Sequence, residues 1–287
     1  PFYSPVIAKI MAMQQTLTVS ENEIAQYVIN NTDAVVSSTI TTVAQNTDTS
    51  EASINRFCKK IGYKGFNSFK VALAQENFYN SMQDPPSGAQ GGFVATVCAD
   101  YRNMLMNTTA LLDESSVVQA ANTIRHADHI FIFSLPQTSL VAQEFELKLS
   151  MLGLFAQATD SLGRARILAS SVGPGELVIA VAPSILVPDL YQAVSACKER
   201  GATLITITSY DSPKLGNLVD HKFIISDKIA TQNSLANSND LMFLYVLDVL
   251  YCALLGSDRT LKSKRLNSDA ILNSQQQQRA DHFFYEF

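Results

Sequence analysis

Between Thr39 and Phe69 the chain reads TITTVAQNTDTSEASINRFCKKIGYKGFNSF, and the spacing of its apolar residues fits two short helices around a polar turn. Ile40, Val43 and Ala44 keep helical spacing until Asn46-Thr47-Asp48-Thr49 breaks it. Ser50 is then placed to cap a second helix, its hydroxyl accepting from an otherwise unpaired first-turn amide. Ile54, Phe57, Cys58 and Ile61 follow at i, i+3, i+4 and i+7, a stripe for a core. Glu51, Ser53, Asn55, Arg56, Lys59 and Lys60 are left facing outward, and Gly62 is placed to end the helix. A polar and basic second helix after a short turn is what a reader of the DNA major groove requires.

Charge narrows this reading to one stretch. Residues 1–80 hold six Lys or Arg and six Asp or Glu, yet five cations and no anion lie from Arg56 to Lys70. A neutral domain with a basic stripe suits a protein that makes few phosphate contacts and gains affinity from a partner subunit. The net charge of −5 excludes a polyanion binder that works through bulk charge.

The run SEASINRFCKKIGYKGFNSFK (Ser50–Lys70) resembles the N-terminal helix-turn-helix of RpiR-type transcriptional regulators, in which the second helix leads into a Gly-aromatic-x-Gly-Phe turn. Here that turn is Gly62-Tyr63-Lys64-Gly65-Phe66. The upstream LTVSENEIAQYVINNTDAVVSSTITTVAQ fits one helix, a short linker and the first helix of the motif. Asp48 stands where such turns commonly carry Gly. Asp tolerates the left-handed region better than most residues, so the turn is expected intact at modest cost.

With 287 residues, 47% of them apolar and 16% charged, the chain has material for two cores. No uninterrupted apolar run has the length of a membrane span, and Pro1–Lys9 lacks the layout of a signal peptide. Cys58, Cys98, Cys197 and Cys252 are scattered, without zinc or redox spacing, and read as buried free thiols of a reducing cytoplasm. His126, His129, His221 and His282 form no ligand set. No metal or cofactor is expected, and no membrane partner.

Asn80–Gly92, rich in Pro and Gly, reads as a linker. The expected domains are therefore 1–80, a linker at 81–92, and 93–287. In the last, strands are predicted at His129–Phe133, Leu154–Ala158, Glu176–Ala182, Thr203–Thr208 and Lys222–Ser226. Helices Ser139–Leu152, Gly163–Ser171 and Asp189–Arg200 lie between them, and Asp240–Leu255 follows. Near-continuous apolar strands separated by helices imply a parallel sheet covered on both faces. The polar residues after Leu255 read as a final helix or frayed tail. The fold class is α/β with an all-α N-terminal domain: a helix-turn-helix bundle, then a doubly wound parallel sheet.

Ala193–Asp227 resembles the SIS (sugar isomerase) domain of the same regulators, through its Gly201-Ala202 turn, its Ser212-Pro213-x-Leu215 segment and Asp220. Asn239–Tyr251 is similar to that domain's closing helix. The resemblance implies a homodimer or tetramer that binds a double-stranded DNA operator and senses a sugar phosphate or related small-molecule effector. Its DNA contacts would be Ser50, Ser53, Asn55, Arg56, Lys59 and Lys60, with Asn55 and Arg56 at base edges and the lysines at phosphates.

Effector contacts are expected beyond the carboxyl ends of the strands, at Ser134, Gln137, Thr138, Ser139, Ser184, Ser209 and Ser212. Here the chain departs from the SIS pattern. Gly-x-Gly-x-Ser becomes Ser134-Leu135-Pro136-Gln137-Thr138, and Ser-x-Ser-Gly-x-Thr becomes Val181-Ala182-Pro183-Ser184-Ile185-Leu186. Each lost hydrogen bond to a dianion removes about 1.5–3 kcal/mol, so phosphate affinity should fall by several powers of ten. Three readings stay open: altered specificity, a pocket retuned to a less charged metabolite, or a domain kept for dimerisation. The alternative function is a sugar-phosphate isomerase or amino-sugar lyase. Its candidate carboxylates, Glu144 and Glu146, read more simply as a solvated helix face.

Overall fold

The computed structural model describes residues 6–83, 92–226, 238 and 240–284, apart from the side chains at 75, 78–83 and 273–284. Most of the predicted linker, and the side chains of Gln275–Gln278, lie outside these residues. The chain divides into two compact units, one formed by Pro1–Asp113, Thr208–Asn217 and Phe223–Met242, the other by Glu114–Ile207, Leu218–Lys222 and Phe243–Phe287.

In the first unit α1 (Val6–Ala12), α2 (Val19–Asn30), α3 (Thr32–Ser37), α4 (Ile40–Asn46), α5 (Glu51–Lys60), α6 (Phe66–Gln83) and α7 (Phe93–Leu111) follow in order. Local chemistry sets their ends. The Thr18 hydroxyl accepts from Glu21 N–H while the Glu21 carboxylate accepts from Thr18 N–H, a capping box at the start of α2. Thr39 and Ser50 cap α4 and α5 in the same manner, each accepting from the amide three residues on. The stretch expected to link the first two helices is itself helical: α3 forms within it, with Val35 buried. Six residues starting Thr32-Asp33 are too few and too polar for a periodic signal.

The helices on either side of the turn both end in the Schellman arrangement. After α4, Thr49 N–H reaches the Ala44 carbonyl at 2.9 Å and Asp48 N–H the Gln45 carbonyl at 3.3 Å. After α5, Tyr63 N–H reaches the Cys58 carbonyl at 2.9 Å and Gly62 N–H that of Lys59 at 3.0 Å. Each motif needs one left-handed residue, and these are Gly62 at φ 99° and Asp48 at φ 48°. Asp48 thus keeps the turn intact, as expected, with backbone strain of about 1 kcal/mol. Asp48→Gly is expected to raise the unfolding free energy by up to about 1 kcal/mol, and Asp48→Val to lower it by about 1–2 kcal/mol, in urea titrations. Equal stability of the two variants would contradict the assignment of strain to Asp48.

Ile54, Phe57, Cys58 and Ile61 are all buried, joining Ile24, Val28, Val43, Phe66, Phe69 and Leu73 in one core. Phe57 meets Phe69 edge-to-face at 6.1 Å, and Tyr63 meets Phe69 at 5.5 Å. Burial pushes the Cys58 thiol up to about 12, so it stays protonated and acts as a small apolar side chain. Cys197 is buried as well, whereas Cys98 and Cys252 are exposed, which corrects the expectation of buried thiols for those two.

Beyond α7, α8 (Glu114–His126) leads into five described strands: β1 (Ile130–Ser134), β2 (Ala156–Thr159), β3 (Leu177–Val181), β4 (Thr203–Thr208) and β5 (His221–Ile224). They form a sheet of order β2-β1-β3-β4-β5, with parallel pairing of β1 to β2 and β3 and of β3 to β4. Helices α9 (Ser139–Met151), α10 (Leu162–Ala169), α11 (Pro188–Glu199) and α12 (Pro213–Gly216) connect them. This doubly wound order has its switch point between β1 and β3, and β3 is buried along its whole length. The β2 strand starts two residues later than predicted, because the apolar Leu154-Phe155 pair precedes the ladder and Phe155 is exposed.

Asp220 fastens this part of the fold. Its carboxylate accepts from Leu204 N–H at 2.8 Å and from Lys198 Nζ at 2.7 and 2.8 Å, joining α11 to β4 just before β5. Burial alone would raise its pKa, but the Lys198 ammonium and the Leu204 amide together hold it below the usual carboxylate value.

The described chain ends in α13 (Asp240–Ser257) and α14 (Arg259–Phe284). With 18 residues, α13 is long and apolar enough to cross a membrane by length and composition alone, although Asp248 interrupts its apolar run. Its buried Phe243, Val246, Leu247, Leu250 and Leu254 read as a core face, and Asp248 pairs with Lys148 of α9.

Candidate nucleic-acid interface and effector loops

The exposed edge of α5 starts from its cap. Ser50 Oγ accepts from Ser53 N–H at 3.1 Å and lies 2.9 Å from Ser53 Oγ, so both hydroxyls are ordered at the helix start. Arg56 Nη2 donates to Ser53 Oγ at 3.1 Å while its side chain stays exposed, a guanidinium aligned along the helix surface with donors to spare. Lys59 is exposed too, three residues beyond Arg56 and so next to it on the helix surface.

Two of the six candidates are committed inside the domain. Asn55 Oδ1 accepts from Phe66 N–H at 3.1 Å, which fixes the start of α6 against α5. Lys60 Nζ lies 2.6 Å from Glu21 and donates to the Thr16 carbonyl at 2.8 Å. These partners stand 39 and 44 residues away in sequence. No local pattern announces them. Burial alone would raise the Glu21 pKa, but its hydrogen bond to Lys60 and the Thr18 cap outweigh that and hold it below the usual value.

A carboxyl with a lowered folded-state pKa contributes stability above its unfolded value of about 4.3, and this is lost as pH falls through the folded value. Lys60→Ala is therefore expected to reduce stability at pH 7 by less than about 1 kcal/mol, the pair being partly exposed, and to flatten the loss below about pH 4.3. Urea titrations near neutral pH and about one unit below that carboxyl value check this. An unchanged pH dependence would remove the ion pair from the account.

Beside α5, Ile40, Asn55 and Lys64–Ser68 line a shallow cavity of about 480 Å³. Lys64 and Asn67 are both exposed at its rim. In the sequence Lys64 stood out only as part of the cation run, and Asn67 carried no signal.

The effector candidates are placed less favourably for a phosphate. After β1, Ser134 Oγ donates to the Thr159 carbonyl at 3.3 Å. Thr138 is buried, donating to the Val181 carbonyl at 2.7 Å and accepting from Leu135 N–H at 3.2 Å. Those bonds tie the loop after β1 to the end of β3. Ser139 Oγ accepts from Gln143 Nε2 at 3.0 Å, and Gln137 is exposed. After β3, Ser184 Oγ accepts from Leu186 N–H at 3.3 Å beside buried Ile185. Neither loop contains Lys or Arg.

In the first unit, the segment after β4 carries Ser212, whose hydroxyl accepts from Lys214 N–H at 3.3 Å and caps α12. Ser209 Oγ is buried and has no hydrogen-bond partner among the described residues. The carboxylates offered for catalysis do not converge. Glu144 is exposed 3.8 Å from Lys148, and Glu146 lines a cavity with His129, Ile130 and Phe155, at the amino-terminal end of β1 and β2. Ligands of such sheets bind at the opposite, carboxyl end.

A helix-turn-helix with a one-sided basic second helix, followed by a doubly wound sheet with loops at its switch point, defines a DNA-binding protein carrying a small-molecule domain. Residues 5–78 match the helix-turn-helix domain of the rpiR family and residues 123–250 match the SIS domain. The chain belongs to the rpiR family of helix-turn-helix transcriptional regulators, with an SIS domain in its C-terminal part. It is 27% identical over 250 residues to an uncharacterised HTH-type transcriptional regulator of Caldanaerobacter subterraneus, covering 86% of this chain and 89% of that protein. A second such regulator, from Haemophilus influenzae, is 24% identical over 274 residues, with 91% and 95% covered. Among solved structures, the Vibrio vulnificus NanR protein complexed with ManNAc-6P shares the fold at a TM-score of 0.59 and 22% identity, over 94% of this chain and 98% of that one.

Proposed function

We propose that this regulator binds a double-stranded operator as a homodimer or tetramer in the cytoplasm, reading it with α5. In this reading Arg56 meets base edges from the major groove, Ser50 and Ser53 set the approach of the helix start, and Lys59 meets phosphates. Asn55 and Lys60 act from behind by holding α5 in place. The observation that carries the reading is the exposed Arg56 on a helix whose opposite face is buried. Two copies would present their helices to half-sites about one helical turn apart or a multiple of it. Selection from random-sequence DNA with the full chain tests this; recovery of no preferred sequence would refute it.

The SIS part serves as a sensor and not as an enzyme. Its ligand is a carbohydrate derivative held with a weaker phosphate grip than the Gly-x-Gly-x-Ser pattern gives, because the hydroxyls of Ser134 and Thr138 are already bonded to backbone carbonyls. Calorimetric titration against glucose 6-phosphate, fructose 6-phosphate and N-acetylmannosamine 6-phosphate is expected to show affinities no tighter than micromolar. Nanomolar binding of any of them would overturn the weakened-grip reading.

A further inference from the structure

We propose that α1 is the link through which the loop after β4 acts on the recognition helix, an inference that rests on the regulator reading above. Every residue in the argument belongs to the first compact unit. At the C-terminal end of α1, the Ala12 carbonyl accepts a hydrogen bond from Asp211 N–H, in the loop between β4 and α12. At its N-terminal end, Val6 and Ile7 N–H donate to the carboxylate of buried Glu76, at 2.7 and 3.3 Å. Glu76 lies on α6. That same helix starts with Phe66 N–H bonded to Asn55 of α5 and sets Phe69 against Phe57 of α5.

A helix of seven residues does not hold itself in water, so the position and order of α1 are set by the burial of Val6, Ala8, Ile10, Met11 and Ala12 and by what grips its ends. One end is gripped by the helix that braces α5. The other is gripped by a loop that also carries Ser209, two residues before Asp211, whose buried hydroxyl has no hydrogen-bond partner among the described residues. A ligand hydroxyl or carbonyl engaging Ser209 would shift the Asp211 amide, and α1 would transmit the shift to α6 and from there to the exposed edge of α5. Coupling then follows from a contiguous set of bonds that two arrangements of α1 would share unequally.

The test separates the backbone donor from the side chain. Asp211→Pro removes the N–H, and Asp211→Ala keeps it. With the full chain and a duplex selected from random DNA, Asp211→Pro is expected to weaken binding at least about fivefold and to speed amide exchange in residues 6–13, and Asp211→Ala to do clearly less of both. Wild-type affinity and exchange in Asp211→Pro would overturn the proposal, as would equal weakening in both variants. Should circular dichroism show Asp211→Pro unfolded, Glu76→Leu, which removes the acceptor oxygens, tests the other grip: the same loosening of residues 6–13 and weaker binding are expected, and no change in either overturns the link. Failure of the wild-type chain to bind any selected duplex strikes the regulator reading instead, and the exchange measurement then decides the α1 link by itself.

Discussion

Phe57→Ala is expected to lower the stability of the helix-turn-helix unit by about 3–5 kcal/mol, a large part of what holds a small domain folded. The side chain is fully buried on α5, with its ring set edge-on against Phe69 of α6. Its removal loses the transfer free energy of a phenyl group, the aromatic contact and the fit of α5 to its neighbours, and the surrounding Ile24, Ile54 and Leu73 cannot close the space fully. Phe57→Leu, which keeps most of the volume, should cost less than about 1.5 kcal/mol. Urea unfolding followed by far-ultraviolet circular dichroism reads both. Similar stabilities for the two variants would mean that this position does not organise the core. DNA binding should fall with Phe57→Ala even though the residue touches no DNA, because the exposed edge of α5 keeps its direction only while the buried edge is packed.

What the sequence made legible was local. The Ser50 cap, the buried stripe from Ile54 to Ile61, the left-handed Asp48 and the Gly62 stop are each decided within about four residues, where propensity and capping act. The strands of the sheet were readable for a similar reason: β3 is apolar throughout and β4 mixes Thr with Leu and Ile, short β-branched runs preceded by Gly175 and Gly201. The short helix α3 was not readable, since Thr32-Asp33 looks like a linker and its single buried Val35 gives no period. Partners far apart in sequence were also hidden. Glu21 reaches Lys60, Asn55 reaches Phe66 and Glu76 reaches Val6, and each bond exists only after the helices have packed. For that reason the sequence did not show that Asn55 and Lys60 of α5 also bond within the domain. The effector loops show the converse. Loss of the glycines was visible, but the diversion of the Thr138 hydroxyl to the Val181 carbonyl came from the pairing of β1 with β3.

Arg56→Ala is expected to weaken binding to the selected operator by about 10–100-fold, equivalent to about 1–3 kcal/mol, and to relax preference at one base position per half-site. The guanidinium is an exposed planar donor on α5 and is steadied by Ser53 at 3.1 Å, so it presents a fork to the groove with part of its entropy already lost. Lys59→Ala should behave differently: weaker binding to all sequences alike, with the slope of log affinity against log salt reduced by about 1 per site. Lys60→Ala should change DNA affinity least of the three, since its ammonium already serves Glu21 and the Thr16 carbonyl. Gel shifts at several salt concentrations on operator and scrambled duplexes distinguish these outcomes. A uniform loss for Arg56→Ala, without any change in base preference, would demote the arginine to a phosphate contact. A loss for Lys60→Ala as large as that for Arg56→Ala would mean that the Glu21 pair opens on DNA and that the lysine reaches the backbone.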